Sequence, residues 1–178
     1  VATGTECAAI PTFSLTNPIP PSFTPDTTLE SHFPAAVDGT PASEVTSEFW
    51  VQMLCMYGGQ TVVDQSRGSM GSGVNLANMS FGSAKYTVDG ESTTLSAFRT
   101  PGTDANVLAT SLAQLAALSG GTGIQGTLGT ANVSGKTVYV STDATDGTKT
   151  YAYVSGDTMI FTETLTDSQA AKIFAAIP

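Results

Sequence analysis

Charge is scarce in this chain. Asp, Glu, Lys and Arg make up 12% of its 178 residues, against roughly 25% in ordinary soluble domains. Six residues are Lys or Arg, and the formal net charge is −9. Arg67, Lys85, Arg99, Lys136, Lys149 and Lys172 are dispersed, with no basic cluster. Phosphate backbones and anionic headgroups are bound by grouped cations that displace counterions, so nucleic acid is not expected as a partner and acidic membrane surfaces are poor ones. Long apolar runs are missing too, and no helix is expected to span a membrane. Histidine occurs once, as His32. A Ser-His-Asp or Cys-His site would depend on it, and no nucleophile-elbow sequence accompanies it. Cysteine occurs twice, with no Cys-x-x-Cys pair, so neither a zinc site nor thioredoxin-type chemistry is signalled. No metal and no cofactor is expected.

What fills the polar surface instead is Thr, Ser, Gly, Asn and Gln. Such a neutral surface suits close packing against copies of the chain or against glycans. Cys7 lies in a polar amino-terminal arm and Cys55 in an apolar stretch. The pair reads as one disulfide, which implies an oxidising compartment and a secreted, extracellular or cell-surface protein. A first residue of Val is consistent with removal of a signal peptide. A lipid-anchored amino-terminal Cys is not supported, because Cys7 is not first.

Residues 1–26 form a Pro- and Thr-rich arm with Pro11, Pro18, Pro20, Pro21 and Pro25. Prolines this frequent forbid a helix and favour extended geometry. Its apolar residues Ile10, Phe13, Leu15, Ile19 and Phe23 are candidate docking side chains for an assembly arm. Asp26 caps a short helix that Pro34 stops, and residues 37–41 are turn chemistry. A short strand is expected at 42–46. A helix is expected from Ser47 to Met56, ended by Gly58-Gly59. Residues 60–73 read as irregular. Their glycine-rich end, Arg67 to Gly73, lacks the Lys and hydroxyl residue of a phosphate-binding loop.

Two hairpins are expected at 79–88 with 93–100, closed by Asp89-Gly90, and at 124–131 with 137–142, around Ser134-Gly135. Further strands are expected at 150–154 and 159–164. Helices are expected from Thr103 to Leu118, with Val107, Leu108, Leu112, Leu115 and Leu118 on its apolar stripe, and from Asp167 to Ile177. Strands joined by short turns predict a mainly antiparallel sheet. Helices folded back on one face give an α+β class. The strand–turn–strand–helix grammar appears around Gly90 and again around Gly156. It suggests an internal duplication, with halves at about 27–119 and 120–178 within one domain.

Leu29 to Pro34 leading into Val37 to Pro41, Ala97 to Asp104, and Tyr153 to Asp157 together resemble uncharacterised secreted proteins and lipoproteins of environmental bacteria. The resemblance runs from about Asp26 to the end. It implies secretion and brings no catalytic residues with it.

Chemistry-bearing residues are few. Asp143 to Thr148 gathers oxygen ligands but lacks the length and final Glu of a calcium-binding EF-hand loop, and reads as a turn. Glu44 with Glu48, or Glu91 with Asp157, could be paired for a hydrolase. The composition and the arm point first to a non-catalytic extracellular structural protein that assembles with itself, at the cell surface or into filaments. A monomeric binding module for an apolar or glycan ligand is the second reading. A hydrolase using acidic residues is the third.

Overall fold

The structure is a computed structural model and describes residues 6–10, 23–70, 76–110, 126–143, 147–162 and 164–178. After a single 3-10 turn at Glu6–Ala9, the chain enters helix α1, Thr27–Glu30. The Asp26 carboxylate accepts from the backbone N–H groups of Thr28 and Leu29, satisfying two donors a helix start leaves open. Strands β1, Ala36–Val37, and β2, Thr40–Pro41, form a two-stranded hairpin around Asp38-Gly39.

Then come β3, Glu44–Phe49, helix α2, Trp50–Met70, β4, Ser80–Val88, and β5, Glu91–Arg99. Residues 105–110 are helical and are called α3. The second half adds β6, Gly126–Val133, β7, Lys136–Asp143, β8, Lys149–Ser155, β9, Thr158–Thr162, and helix α4, Asp167–Ala176. Thr166 and Gln169 make a capping box at the start of α4.

One sheet holds seven strands in the order β3-β4-β5-β9-β8-β7-β6, every neighbouring pair antiparallel. The α+β class is therefore as expected. Asp89-Gly90 and Ser134-Gly135 close the two hairpins with positive φ at both turn positions, the geometry that matches strand twist.

Side-chain alternation sorts the strands into two faces. On the first face Tyr86, Leu95, Ile160, Tyr151 and Val138 are buried with Leu29, Val37, Ile173 and Phe174, so α1, the small hairpin and α4 cover it. On the second face Ala152 and Met159 are buried with Leu108 of α3, beside Phe98, Tyr139, Val154 and Phe161. The helices thus do not share one face, contrary to expectation. The two hairpin-helix units also fail to superpose, because the described start of α3 and the whole of α4 lie on opposite sides of the sheet. The physical reason is visible in Met159-Ile160-Phe161. Three apolar residues in succession make β9 greasy on both faces, and each face needs a cover.

A third cluster sits at the ends of β3 to β5, where Val51, Cys55, Val63, Leu76 and Met79 pack with Ile10, Phe49 and Phe98. It corrects the reading of residues 47–70, and residues 71–73 lie outside the described residues. Ser47 is not a helix cap but lies in β3, which runs through Phe49 in register with Ser80. Gly58-Gly59 end the first helical leg, as expected, but a second leg follows where an irregular stretch was expected. Gly59, with φ 64° and ψ −169°, makes a corner, and the chain resumes helix to Met70. Val63 is fully buried after that corner, and Asp64 pairs with Gln60 and Arg67 along the helix. These contacts explain why the stretch is regular. Leu112, Leu115 and Leu118 lie outside the described residues.

Candidate functional site

The disulfide is present: Cys7 and Cys55 are bonded, with Cα atoms 5.3 Å apart. Its amino-terminal side is pinned further, because the Cys7 N–H donates to Gln60 Oε1 at 3.2 Å. Of the arm's candidate docking residues, Ile10 is half-buried in the cluster around Cys55, and Phe23 is half-buried just before α1. Phe13, Leu15 and Ile19 fall outside the described residues.

The carboxylates proposed for hydrolysis are not set across a cleft. Glu44 and Glu48 lie on one strand, and four residues of extended chain separate backbones by about 14 Å. Glu44 binds Lys85 at 2.6 Å. Glu91 opens β5 and accepts from Gln169 Nε2 at 3.1 Å. Asp157 sits at the other end of β5, where it pairs with Arg99 at 3.2 Å. Paired glycosidase carboxylates lie roughly 5–9.5 Å apart. The His32 imidazole Nδ1 is 2.9 Å from the Thr28 carbonyl oxygen, on the helix just before it. Among the described residues, no group of three or more His, Cys, Asp or Glu could hold a metal ion.

A polar junction, missed in the sequence reading, ties α1 to β4, β5 and the β8–β9 turn. Asp26 is 4% exposed, and its second carboxylate oxygen accepts from Ser80 Oγ at 2.5 Å and Arg99 at 3.3 Å. Arg99 also grips Asp157, so one guanidinium bridges α1 to the β8–β9 turn. Burial opposes the charge on Asp26. The Ser80 hydroxyl, the Leu29 N–H and the Arg99 guanidinium outweigh it and hold the carboxyl below its usual range. Every polar group here has a partner, which makes the junction structural.

A concave surface lies elsewhere, beside α4. There the first face of the sheet runs out past the helix, over β7 and β6. A hollow of about 350 Å³ is floored by Gly129, Ala131 and Val140 and walled by Tyr151, Lys149 and Asp167. A Cβ on Gly129 would meet nothing within 4 Å, so the floor is low at the sheet edge. Asp167 accepts from Lys149 at 2.8 Å and from the Tyr151 hydroxyl at 3.0 Å. Burial, then the hydrogen bond to Asp167, pushes the Tyr151 hydroxyl up to about 12, so it stays protonated at neutral pH. The Lys149 hydrogen bond holds Asp167 below its usual range. The wall is thus an ion pair closed on itself, and the hollow presents a nearly neutral surface. A second opening of about 390 Å³, lined by Thr148, Thr164, Thr166 and Glu91, lies across the same Lys149–Asp167 pair.

Next to the hollow is the open edge of the sheet. β6 ends the strand order, and among the described residues no strand pairs with its outer side. Its sequence, Gly-Thr-Leu-Gly-Thr-Ala-Asn-Val, has no charge and no proline. Natural edge strands are commonly guarded by Lys, Pro or a bulge. The other edge, β3, carries Glu44 and Glu48.

Fold and site together define an α+β protein with a seven-stranded antiparallel sheet, a disulfide-stapled amino-terminal segment and a neutral edge strand that pairs on its outer side with no other described strand. Comparison with known proteins finds no family model, no curated protein and no solved structure that matches the chain.

Proposed function

We propose that the chain is a non-catalytic, secreted structural protein that associates with copies of itself. The observation that carries this reading is the β6 edge: an eight-residue strand whose outward-facing backbone groups, on alternate residues, pair with no other described strand, and which has neither charge nor proline to repel a partner strand. Low charge supports it, because neutral surfaces pack closely without costly desolvation of ions. The Cys7–Cys55 disulfide is compatible with an oxidising compartment, and no helix among the described residues is long and apolar enough to cross a membrane. The neutral hollow beside α4 favours a second reading, a binding module for an apolar or glycan ligand.

Sedimentation of disulfide-intact protein over a wide concentration range separates the two. Self-association that grows with concentration is the expected result. A monomer at every concentration, together with saturable binding of a neutral oligosaccharide, would reject assembly in favour of the binding module.

A further inference from the structure

We infer that the open edge of β6 takes the arm segment Thr12–Asn17 of a neighbouring copy as an added strand, with Phe13 and Leu15 seated in the hollow beside α4. This rests on the reading that the protein self-associates, and names the contact.

The acceptor is set by the hairpin. Ser134-Gly135 is a two-residue turn, so Val133 and Lys136 exchange both backbone hydrogen bonds. Alternation then points the N–H and C=O groups of Ala131 and Gly129 at β7, and those of Thr130 and Asn132 outward. The side chains of Ala131 and Val133 share the first face with the Cα of Gly129, where the hollow lies. Small residues at this edge leave space above the sheet that larger side chains of an added strand can fill.

The donor is set by the sequence between Pro11 and Pro18. Thr12-Phe13-Ser14-Leu15-Thr16-Asn17 is proline-free and rich in residues suited to a strand. Its two large apolar side chains fall on one face, because Phe13 and Leu15 are two apart. With Ser14 on the face of Thr130, Phe13 and Leu15 stand over Ala131 and Gly129. Added strands gain affinity from backbone bonds and specificity from alternate side-chain pockets.

The pairing must be between copies. Ile10 is packed in the cluster bounded by Phe98 of β5. One residue, Pro11, separates Ile10 from Thr12, and two Cα steps cover less than about 8 Å. From β5 to β6 the sheet order counts four strand spacings, about 19 Å at the usual separation. A copy therefore cannot fill its own edge. Donor and acceptor are different patches of one chain, so the contact is head-to-tail and propagates into filaments unless it closes in a ring.

The experiment uses the full chain. Ser14→Cys and Thr130→Cys proteins are mixed and oxidised, and cross-linked species are mapped by mass spectrometry. A disulfide between Cys introduced at 14 in one copy and at 130 in another is expected, formed only in the mixture. Thr130→Cys protein cross-linking with itself would overturn the inference in favour of edge-to-edge pairing. In parallel, Phe13→Asp/Leu15→Asp and Thr130→Pro are sedimented. The Thr130 N–H points outward, so proline there leaves the ladder to β7 intact. At least a tenfold weaker association is expected for both, with unchanged circular dichroism. Unaltered association of the variants would overturn the inference while leaving self-association standing. A wild type that never associates would remove both.

Discussion

Asp26 joins local and long-range structure in one side chain. Its first carboxylate oxygen caps α1, and its second holds Ser80 of β4 and Arg99 of β5. Asp26→Ala removes a cap worth about 1 kcal/mol and strips a half-buried guanidinium of one partner. The combined loss is expected to be about 3 kcal/mol, read as a lower urea midpoint. The same residue predicts acid sensitivity. A carboxyl whose folded pKa lies below its unfolded value contributes stability above the unfolded range, near pH 4, and loses it as pH falls through the folded value. Asp89, hydrogen-bonded by Lys172, and Asp167, hydrogen-bonded by Lys149, are held low in the same sense. Unfolding followed by circular dichroism should thus begin as pH drops below about 4. Asp26→Asn should flatten that limb. An identical acid profile in the variant would show that Asp26 does not contribute to it.

At the scale of elements, α2 is fastened at both legs, and its fastening can be weighed. Cys55 on its first leg bonds Cys7 across 48 residues of sequence. A closed loop of that length stabilises by about 4 kcal/mol in the chain-entropy model. Reduction, or Cys7→Ala/Cys55→Ala, should lower unfolding free energy by that order in urea titrations and free residues 6–10 to proteolysis before the sheet opens. The contact between β4, β3 and α1 depends on a missing side chain. A Cβ on Gly82 would stand 2.8 Å from the Thr46 carbonyl oxygen and 3.1 Å from Leu29 Cδ2. Gly82→Ala should therefore cost about 1–3 kcal/mol, as overpacking does. A variant as stable as wild type would mean that β3 moves away freely.

These elements were unequally legible in the sequence. The Asp-Gly and Ser-Gly turns, the Asp26 and Thr166 caps and the alternating strands are local signals, and they gave the antiparallel α+β class. Glu44 to Phe49 misled, because Phe49 and Trp50 fit a helical spacing as well as the junction of a strand and a helix. Gly59 was legible as a terminator, and it does break the helix. The second leg beyond it was not legible, because it is held by Val63 finding a buried partner set, a tertiary fact. The Asp26–Arg99–Asp157 junction joins residues too far apart in sequence for any spacing rule. The hollow beside α4 depends on which strand ends the sheet, and strand order is not written in local pattern. The second covered face was readable after all in the unbroken run Met159-Ile160-Phe161.

For the molecule as a whole, net charge and the neutral edge act in opposite directions. Five of the basic residues, Arg67, Lys85, Arg99, Lys149 and Lys172, already pair with carboxylates on the same chain. The formal charge of −9 is thus carried by acidic groups spread over the surface. Two copies approaching through β6 meet no local repulsion at the edge, but they do meet the field of the whole molecule. A chain of this length has a radius of gyration of about 16 Å. The Debye length is about 30 Å at 10 mM ionic strength and about 8 Å at 150 mM. Low salt therefore lets the full charge of each copy act across the contact, and physiological salt confines it to near neighbours. Association is expected to tighten as salt rises over this range, and sedimentation at fixed protein concentration and neutral pH would measure it. Salt is the right variable, because acidification reduces the same repulsion but also weakens the Asp26 junction. Contacts made by ion pairs would respond in the opposite sense. An association that loosens with added salt would move the interface away from the uncharged β6 edge, to one of the charged surfaces such as β3 with Glu44 and Glu48.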